Sequence, residues 1–106
     1  MLESGIQTRI IQAIRKRYGA DVIVTNYHGG IYSASGTFDL IICFRGMYVE
    51  MEVKRPKSKS NPGGEMSAIQ ISRIPKLEYA GAKWCVVHSP SEAIAFLDSC
   101  RKEVLI

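Results

Sequence analysis

Cysteine is scarce and unpatterned in this sequence: Cys43, Cys85 and Cys100 are odd in number, widely spaced and without a CxxC pair. That spacing supports neither a disulfide framework nor a zinc site, and it leads us to expect buried free thiols in a reducing compartment. Long apolar runs are also missing, since none approaches the roughly 18 residues that a membrane span needs. No basic segment near Met1 runs into an apolar stretch with a cleavage site. The expectation is a cytoplasmic chain, not secreted and without a membrane partner. Acids are outnumbered, 10 against 14 Lys and Arg, and the net charge of +4 favours a polyanionic partner. Charge alone selects no function.

What is present reads as one globular unit. A length of 106 residues, 46% of them hydrophobic and 23% charged, suits a single domain over residues 1 to 106 and is too apolar for a disordered chain. From Ser4 to Tyr18, Ile6, Ile10, Ile11 and Ile14 recur at three- and four-residue spacing, which predicts an amphipathic helix. Arg15, Lys16 and Arg17 suit its last turn, and Gly19 stops it. Residues 21 to 27 are short and β-branched, a strand, followed by a Gly- and Ser-rich loop. Phe38 to Phe44 and Met47 to Lys54 form a hairpin about the Arg45-Gly46 turn. RPKSKSNPGGE, from Arg55 to Glu65, is a basic loop rich in Pro and Gly. Met66 to Ala80 has helical spacing, with Pro75 expected to kink it or begin a new helix. AKWCVVH at 82 to 88 reads as a buried strand, and a last helix follows, with Ser91 as its cap and Ala93, Ile94, Phe96 and Leu97 turned inward. The order is α-β-β-β-α-β-α, a central mixed sheet flanked by helices.

Chemistry concentrates on the hairpin. Strand residues alternate faces, so Val49, Met51 and Val53 point to a core while Tyr48, Glu50, Glu52 and Lys54 point the other way. Pairing about Arg45-Gly46 sets Asp39 opposite the neighbourhood of Glu52, so two carboxylates converge. Such a pair repels itself unless neutralised, and a hard divalent cation is the usual answer. Mg²⁺ keeps waters and takes only one or two carboxylates, which leaves room for a phosphate oxygen and an attacking water. Lys54 stands where it can orient or help deprotonate that water, or neutralise charge in the transition state.

GTFDL at 36 to 40 followed by EMEVK at 50 to 54 resembles the PD-(D/E)xK nuclease core, in which an Asp on one strand and a Glu-x-Lys on the next hold metal and activate water. More narrowly, the chain resembles the VRR-Nuc domain. The residues that carry this likeness are Glu3 ahead of the first helix, VEMEVKRP at 49 to 56, Gln70 in the second helix, then Gly81 and the hydrophobic Trp84 to Val87. The resemblance implies a restriction-endonuclease-like core that hydrolyses DNA phosphodiester bonds and leaves a 5′-phosphate. It implies Mg²⁺ or Mn²⁺ held by Asp39, Glu52 and the Val53 carbonyl, with Glu3 joining directly or through a water. It further implies Lys54 as the catalytic lysine and Gln70 as a residue that positions the site. Stand-alone members resemble Holliday-junction resolvases, and the symmetry of a four-way junction makes a homodimer the natural assembly. Phe38 departs from the family's usual proline, and the stretch between Lys54 and Gln70 is longer than usual.

Each candidate has a plainer reading. Glu50 can join the metal cluster or pair with a surface lysine, and the latter is favoured. Glu3 also suits a helix N-terminus as a simple favourable acid. Arg55, Lys57 and Lys59 lie where a DNA backbone would pass, and Ser35 and Tyr48 flank the same face. Tyr27, Tyr32 and Tyr48 can stack on splayed bases, although Tyr48 can equally cover the sheet. His28 reads as a loop residue, and Trp84 and Cys85 as core strand. Two rival functions remain: a DNA-binding targeting module that keeps the fold and does not cut, and a hydrolase of small phosphoesters.

Overall fold

A computed structural model of the chain describes residues 2–27, 35–56 and 65–104. The elements are α1 (Glu3–Tyr18), a 3-10 turn at Gly19–Asp21, β1 (Val22–Asn26), β2 (Leu40–Phe44), β3 (Met47–Val53), α2 (Ala68–Tyr79), β4 (Lys83–Val87) and α3 (Pro90–Val104). This is the expected order. The four strands lie in sequence order, with β1, β2 and β3 antiparallel and β4 parallel to β3. Antiparallel neighbours need only short connections, whereas the parallel β3–β4 pair needs a crossover, and α2 supplies it. Among the described residues no helix is long and apolar enough to cross a membrane.

One face of the sheet holds the core. Ile6, Ile10 and Ile14 of α1 and Ala93 and Leu97 of α3 pack over Val22, Val24, Leu40, Ile42, Phe44, Val49, Met51 and Val53. The three isoleucines repeat at i, i+4, i+8, which keeps them in one stripe along α1. α1 and α3 are tied together at their edge by Tyr18, whose hydroxyl donates to Asp98 at 2.7 Å, and by Arg17, which meets the same carboxylate at 2.6 Å. The β2–β3 turn has positive φ at both Arg45 (48°) and Gly46 (86°), the twist that a two-residue hairpin requires.

The second face is covered by α2 on the β3–β4 side. Here several expectations are corrected. α2 begins at Ala68 and not at Met66, because Ser67 caps it: its hydroxyl accepts from the Gln70 N–H while the Gln70 side chain accepts from the Ser67 N–H. Pro75 lies inside one continuous helix. It removes the partner of the Ile71 carbonyl, but Ile71 and Pro75 are both exposed, so water can satisfy that oxygen. β4 is an edge strand and only half-buried, with Trp84 donating to Glu78 of α2 and meeting Phe38 edge-on at 6.3 Å. The cap of α3 is Ser89, whose hydroxyl accepts from the Glu92 N–H, and Pro90 takes the first helical position, where its missing N–H costs nothing. Cys43 is exposed, because it pairs across β1–β2 with the exposed Ile23 on the part of this face that no described helix covers; Cys85 is half-buried and Cys100 buried.

Gly36 fixes the approach of the segment that carries Asp39. It has φ of +67°, and a Cβ there would stand 2.5 Å from the Ile69 carbonyl oxygen. Both backbones would have to separate. Gly36→Ala is therefore expected to destabilise the fold by about 3 kcal/mol, from strained backbone and overpacking together. Urea denaturation measures this, and a loss under about 1 kcal/mol would show that the segment moves aside freely.

Candidate active site

Asp39 stands one residue before β2, and continuing the Leu40↔Met51 register brings it opposite Glu52. Each carboxylate accepts a backbone N–H from the other's strand segment. The Asp39 N–H donates to Glu52 Oε1 at 3.1 Å, and the Val53 N–H donates to Asp39 Oδ2 at 2.9 Å. Lys54 Nζ lies 3.1 Å from Glu52 Oε2, and Gln70 Nε2 donates to the same oxygen at 2.7 Å. Four of the expected site residues, Asp39, Glu52, Lys54 and Gln70, thus meet around one carboxylate. The Gln70 amide is gripped at both ends, since its oxygen accepts from the Ser67 N–H at 3.0 Å.

This cluster is unbalanced. Burial first, and then the facing Glu52 carboxylate, push Asp39 up to about 6 against the opposing pull of the Val53 N–H and Lys54. Val53 turns its N–H toward Asp39, and in a regular strand the carbonyl of the same residue leaves on the same side. The donor set on offer is therefore two carboxylates and one backbone carbonyl, all oxygen, which suits a hard divalent cation that keeps several waters. Among the described residues no three acidic, His or Cys side chains converge on one point. Glu3 in particular does not join the carboxylates directly; its Oε1 accepts from the Arg55 N–H at 3.4 Å, at the rim where α1 begins.

Glu50 is in neither of the places expected for it. It is fully buried, and its partner is Arg73 of α2, not a surface lysine. Arg73 Nε and Nη2 bind its two oxygens at 2.8 and 2.7 Å, the Tyr48 hydroxyl donates at 2.6 Å, and the Phe38 N–H donates at 3.2 Å. Burial by itself would raise Glu50, yet Arg73, Tyr48 and the Phe38 N–H together hold it below the ordinary carboxylate value. Arg73 escaped the sequence reading because nothing in the spacing of α2 separates a structural arginine from a solvated one. The Ser67-x-x-Gln70 capping box was the available signal for where the helix starts and which way Gln70 turns.

The expected DNA contacts fall out unevenly. Arg55 is exposed beside Lys54; Ser35 is exposed, its hydroxyl 2.7 Å from that of Thr37. Tyr48 is 40% exposed, but its hydroxyl is engaged by Glu50, so only its ring faces outward. Tyr27 is half-buried at the end of β1, its N–H bonded to the Asp39 carbonyl at 2.8 Å. Lys57, Lys59, His28 and Tyr32 lie outside the described residues.

Among solved structures the chain is similar to one described as a VRR_NUC domain, with 19% sequence identity, a TM-score of 0.60, and coverage of 86% of this chain and 92% of that one. No protein-family model matches the sequence, and no curated protein matches it. The likeness shows the fold: this chain has the VRR_NUC fold, with the mixed sheet and helix order expected of it.

Half-buried Asp39 and fully buried Glu50 should answer pH in opposite senses. Asp39, raised from an ordinary 3.8 to about 6, favours the folded state at pH below its ordinary value, and that contribution is lost as pH rises through about 6. Glu50, held low, contributes above the ordinary carboxylate range and loses that contribution as pH falls through its depressed value. Without divalent ions, Asp39→Asn is expected to abolish the loss of stability between about pH 4 and 6, on the order of 1 kcal/mol after screening by solvent. Denaturation midpoints across that range check it. Parallel pH profiles for native and variant chains would contradict the assignment.

Proposed function

We propose that the chain is a divalent-metal-dependent endonuclease that hydrolyses DNA phosphodiester bonds, with branched DNA such as a four-way junction as its substrate. The observation that carries this reading is the convergence of Asp39, Glu52, Lys54 and Gln70 at the end of β3, with Glu52 buried, Asp39 half-buried beside it, and one ammonium facing the two carboxylates. Asp39, Glu52 and the Val53 carbonyl would hold Mg²⁺ or Mn²⁺. When bound, the ion supplies Lewis acidity toward a phosphate oxygen and the acidification of a water.

The chain's own residues supply the remainder. Glu52 is fixed by three donors from three segments, so its carboxylate is oriented before substrate arrives. The Lys54 ammonium, 15% exposed, keeps a partly desolvated charge beside the reacting phosphate, where it neutralises developing negative charge and can donate to the attacking or departing oxygen. Arg55, exposed on the next residue, is placed to meet a neighbouring phosphate, and the net charge of +4 favours a polyanion. Lys57 and Lys59, two and four residues on in the sequence, are proposed to extend that contact, and Glu3 at the rim would reach the ion through a water. Two copies of the chain would present two such sites to the symmetric strands of a junction.

A labelled four-way junction, with linear duplex, single-strand and flap controls, tests the proposal in Mg²⁺, Mn²⁺ or EDTA. Cutting of the junction is expected with metal, abolished by EDTA and reduced at least about 100-fold in both Asp39→Ala and Lys54→Ala, the scale of losing a group that stabilises a transition state. Junction binding that never leads to cutting would make the chain a targeting module. Turnover of small phosphoesters without steep salt dependence would instead favour a small-substrate hydrolase.

A further inference from the structure

We infer that Glu50 and Arg73 are the positioning pair of the site, setting Glu52 through Gln70 and setting Asp39 through the backbone ahead of β2. The inference rests on the metal-site reading given above. α2 crosses β3 with two rungs between them. On the strand, Glu50 and Glu52 are two residues apart and share a face about 7 Å from each other; on the helix, Arg73 and Gln70 are three apart and share a face about 4.5 Å from each other along the axis. One rung is Arg73 to Glu50, the other Gln70 to Glu52.

The rungs differ in strength. Arg73 holds Glu50 with two parallel charge-assisted bonds, an arrangement that fixes angle as well as distance. Gln70 offers Glu52 a single neutral donor, on an oxygen shared with Lys54. Both rungs join the same two rigid elements, so the stronger one decides whether Gln70 reaches Glu52. Glu50 acts on Asp39 as well. The Phe38 N–H goes to Glu50 Oε1 and the next N–H, that of Asp39, goes to Glu52 Oε1, so the two glutamates hold consecutive peptides of the segment that presents the Asp39 carboxylate. Arg73 Nη1 also points to the Ser35 carbonyl, at 3.5 Å. With four donors around its oxygens Glu50 is occupied as an anchor, and its own place is not among the metal ligands.

A pair kept only for stability would be replaceable, since exchanging a buried ion pair for a neutral one of similar size is often harmless to the fold. The test compares the native chain with Glu50→Gln/Arg73→Met, which keeps an acceptor for the Phe38 N–H, and with Arg73→Lys, which keeps the charge and loses the two-pronged grip. Two readouts are taken: the Gln70 side-chain amide signals in proton–nitrogen spectra without metal, and titration with Mn²⁺. In the folded double variant the Gln70 signals are expected to move to free-glutamine positions and Mn²⁺ affinity to fall about tenfold, with Arg73→Lys between it and the native chain. If the double variant does not fold, Arg73→Lys decides by the same two readouts. Unchanged Gln70 signals with unchanged Mn²⁺ affinity would overturn the inference. If the native chain takes up no Mn²⁺, the metal-site reading fails, and the Gln70 signals then decide the positioning role alone.

Discussion

Two glutamates on one face of β3, Glu50 at 0% and Glu52 at 2% exposure, set the terms for the rest of this molecule. Taking a carboxylate out of water costs several kcal/mol unless hydrogen bonds replace the lost solvent. Much of the architecture on that side of the sheet can be read as the supply of those donors. The segment before β2 lies against the strand end because its Phe38 and Asp39 N–H groups bind the two acids. α2 lies where it does because Arg73 and Gln70 reach them from above. Gly36 lets these two suppliers come within a distance that no side chain would allow. Among the described residues no fully buried side-chain polar atom is left without a partner.

The two acids are nevertheless satisfied to different degrees, and the difference separates scaffold from site. Glu50 receives a full guanidinium and two further donors, and it is held as an anion below its ordinary titration range. Glu52 shares its corner with Asp39, whose carboxyl is pushed up to about 6 by burial first and by the facing Glu52 charge second, with Lys54 only partly offsetting them. A fold selected only for stability would neutralise that pair internally, as it does at Glu50. Asp39 is thus the acid whose charge the fold leaves less fully balanced than that of Glu50, and the proposed metal site builds on that difference. Cys85 makes the contrast from the other side: burial pushes its thiol up to about 12, and among the described residues no cation draws it back, which suits packing rather than reactivity.

The hairpin was legible in the sequence because its logic is local. A two-residue turn at Arg45-Gly46 and a period of two place Asp39 against Glu52 with little freedom for error. The isoleucine stripe of α1 was legible for the same reason. What could not be read was the far side of the sheet. Alternation of Val and Glu along β3 suggests a wet outer face, and the sequence contains no local sign that α2, some twenty residues further on, would cover it. That one long-range contact changes the burial of Glu50 and Glu52, the partner of Glu50 and the depth of Trp84. Exposure of β4 likewise follows from its position at the sheet edge, which depends on strand order and not on the composition of KWCVV. Pro75 misled because the cost of a proline depends on whether the orphaned carbonyl faces water.

Three segments of chain meet at the Glu52 carboxylate, and none of them is its neighbour through a flexible tether alone. The Asp39 N–H comes from the end of a strand partner, Gln70 from a capped helix start, and Lys54 from the continuation of β3 itself. Each donor belongs to an element whose position is fixed elsewhere: by the hairpin register, by the Ser67 cap and the Arg73 rung, and by the Lys54 N–H bonded to the Val87 carbonyl of β4 at 3.0 Å. The orientation of Glu52 is thus a consequence of folding and carries little ordering cost at the moment a ligand binds. Asp39 accepts a backbone N–H at one oxygen, where Glu52 is met by three donors, and it is the more adjustable of the pair. On the proposed reading, a rigid carboxylate facing an adjustable one would admit a cation without rebuilding the sheet, because only the weaker-held partner would have to move. The same asymmetry places the sensitivity of the site in its supports: a change that leaves all four meeting residues intact, but lets α2 drift along β3, would alter the carboxylate geometry as surely as removing one of them.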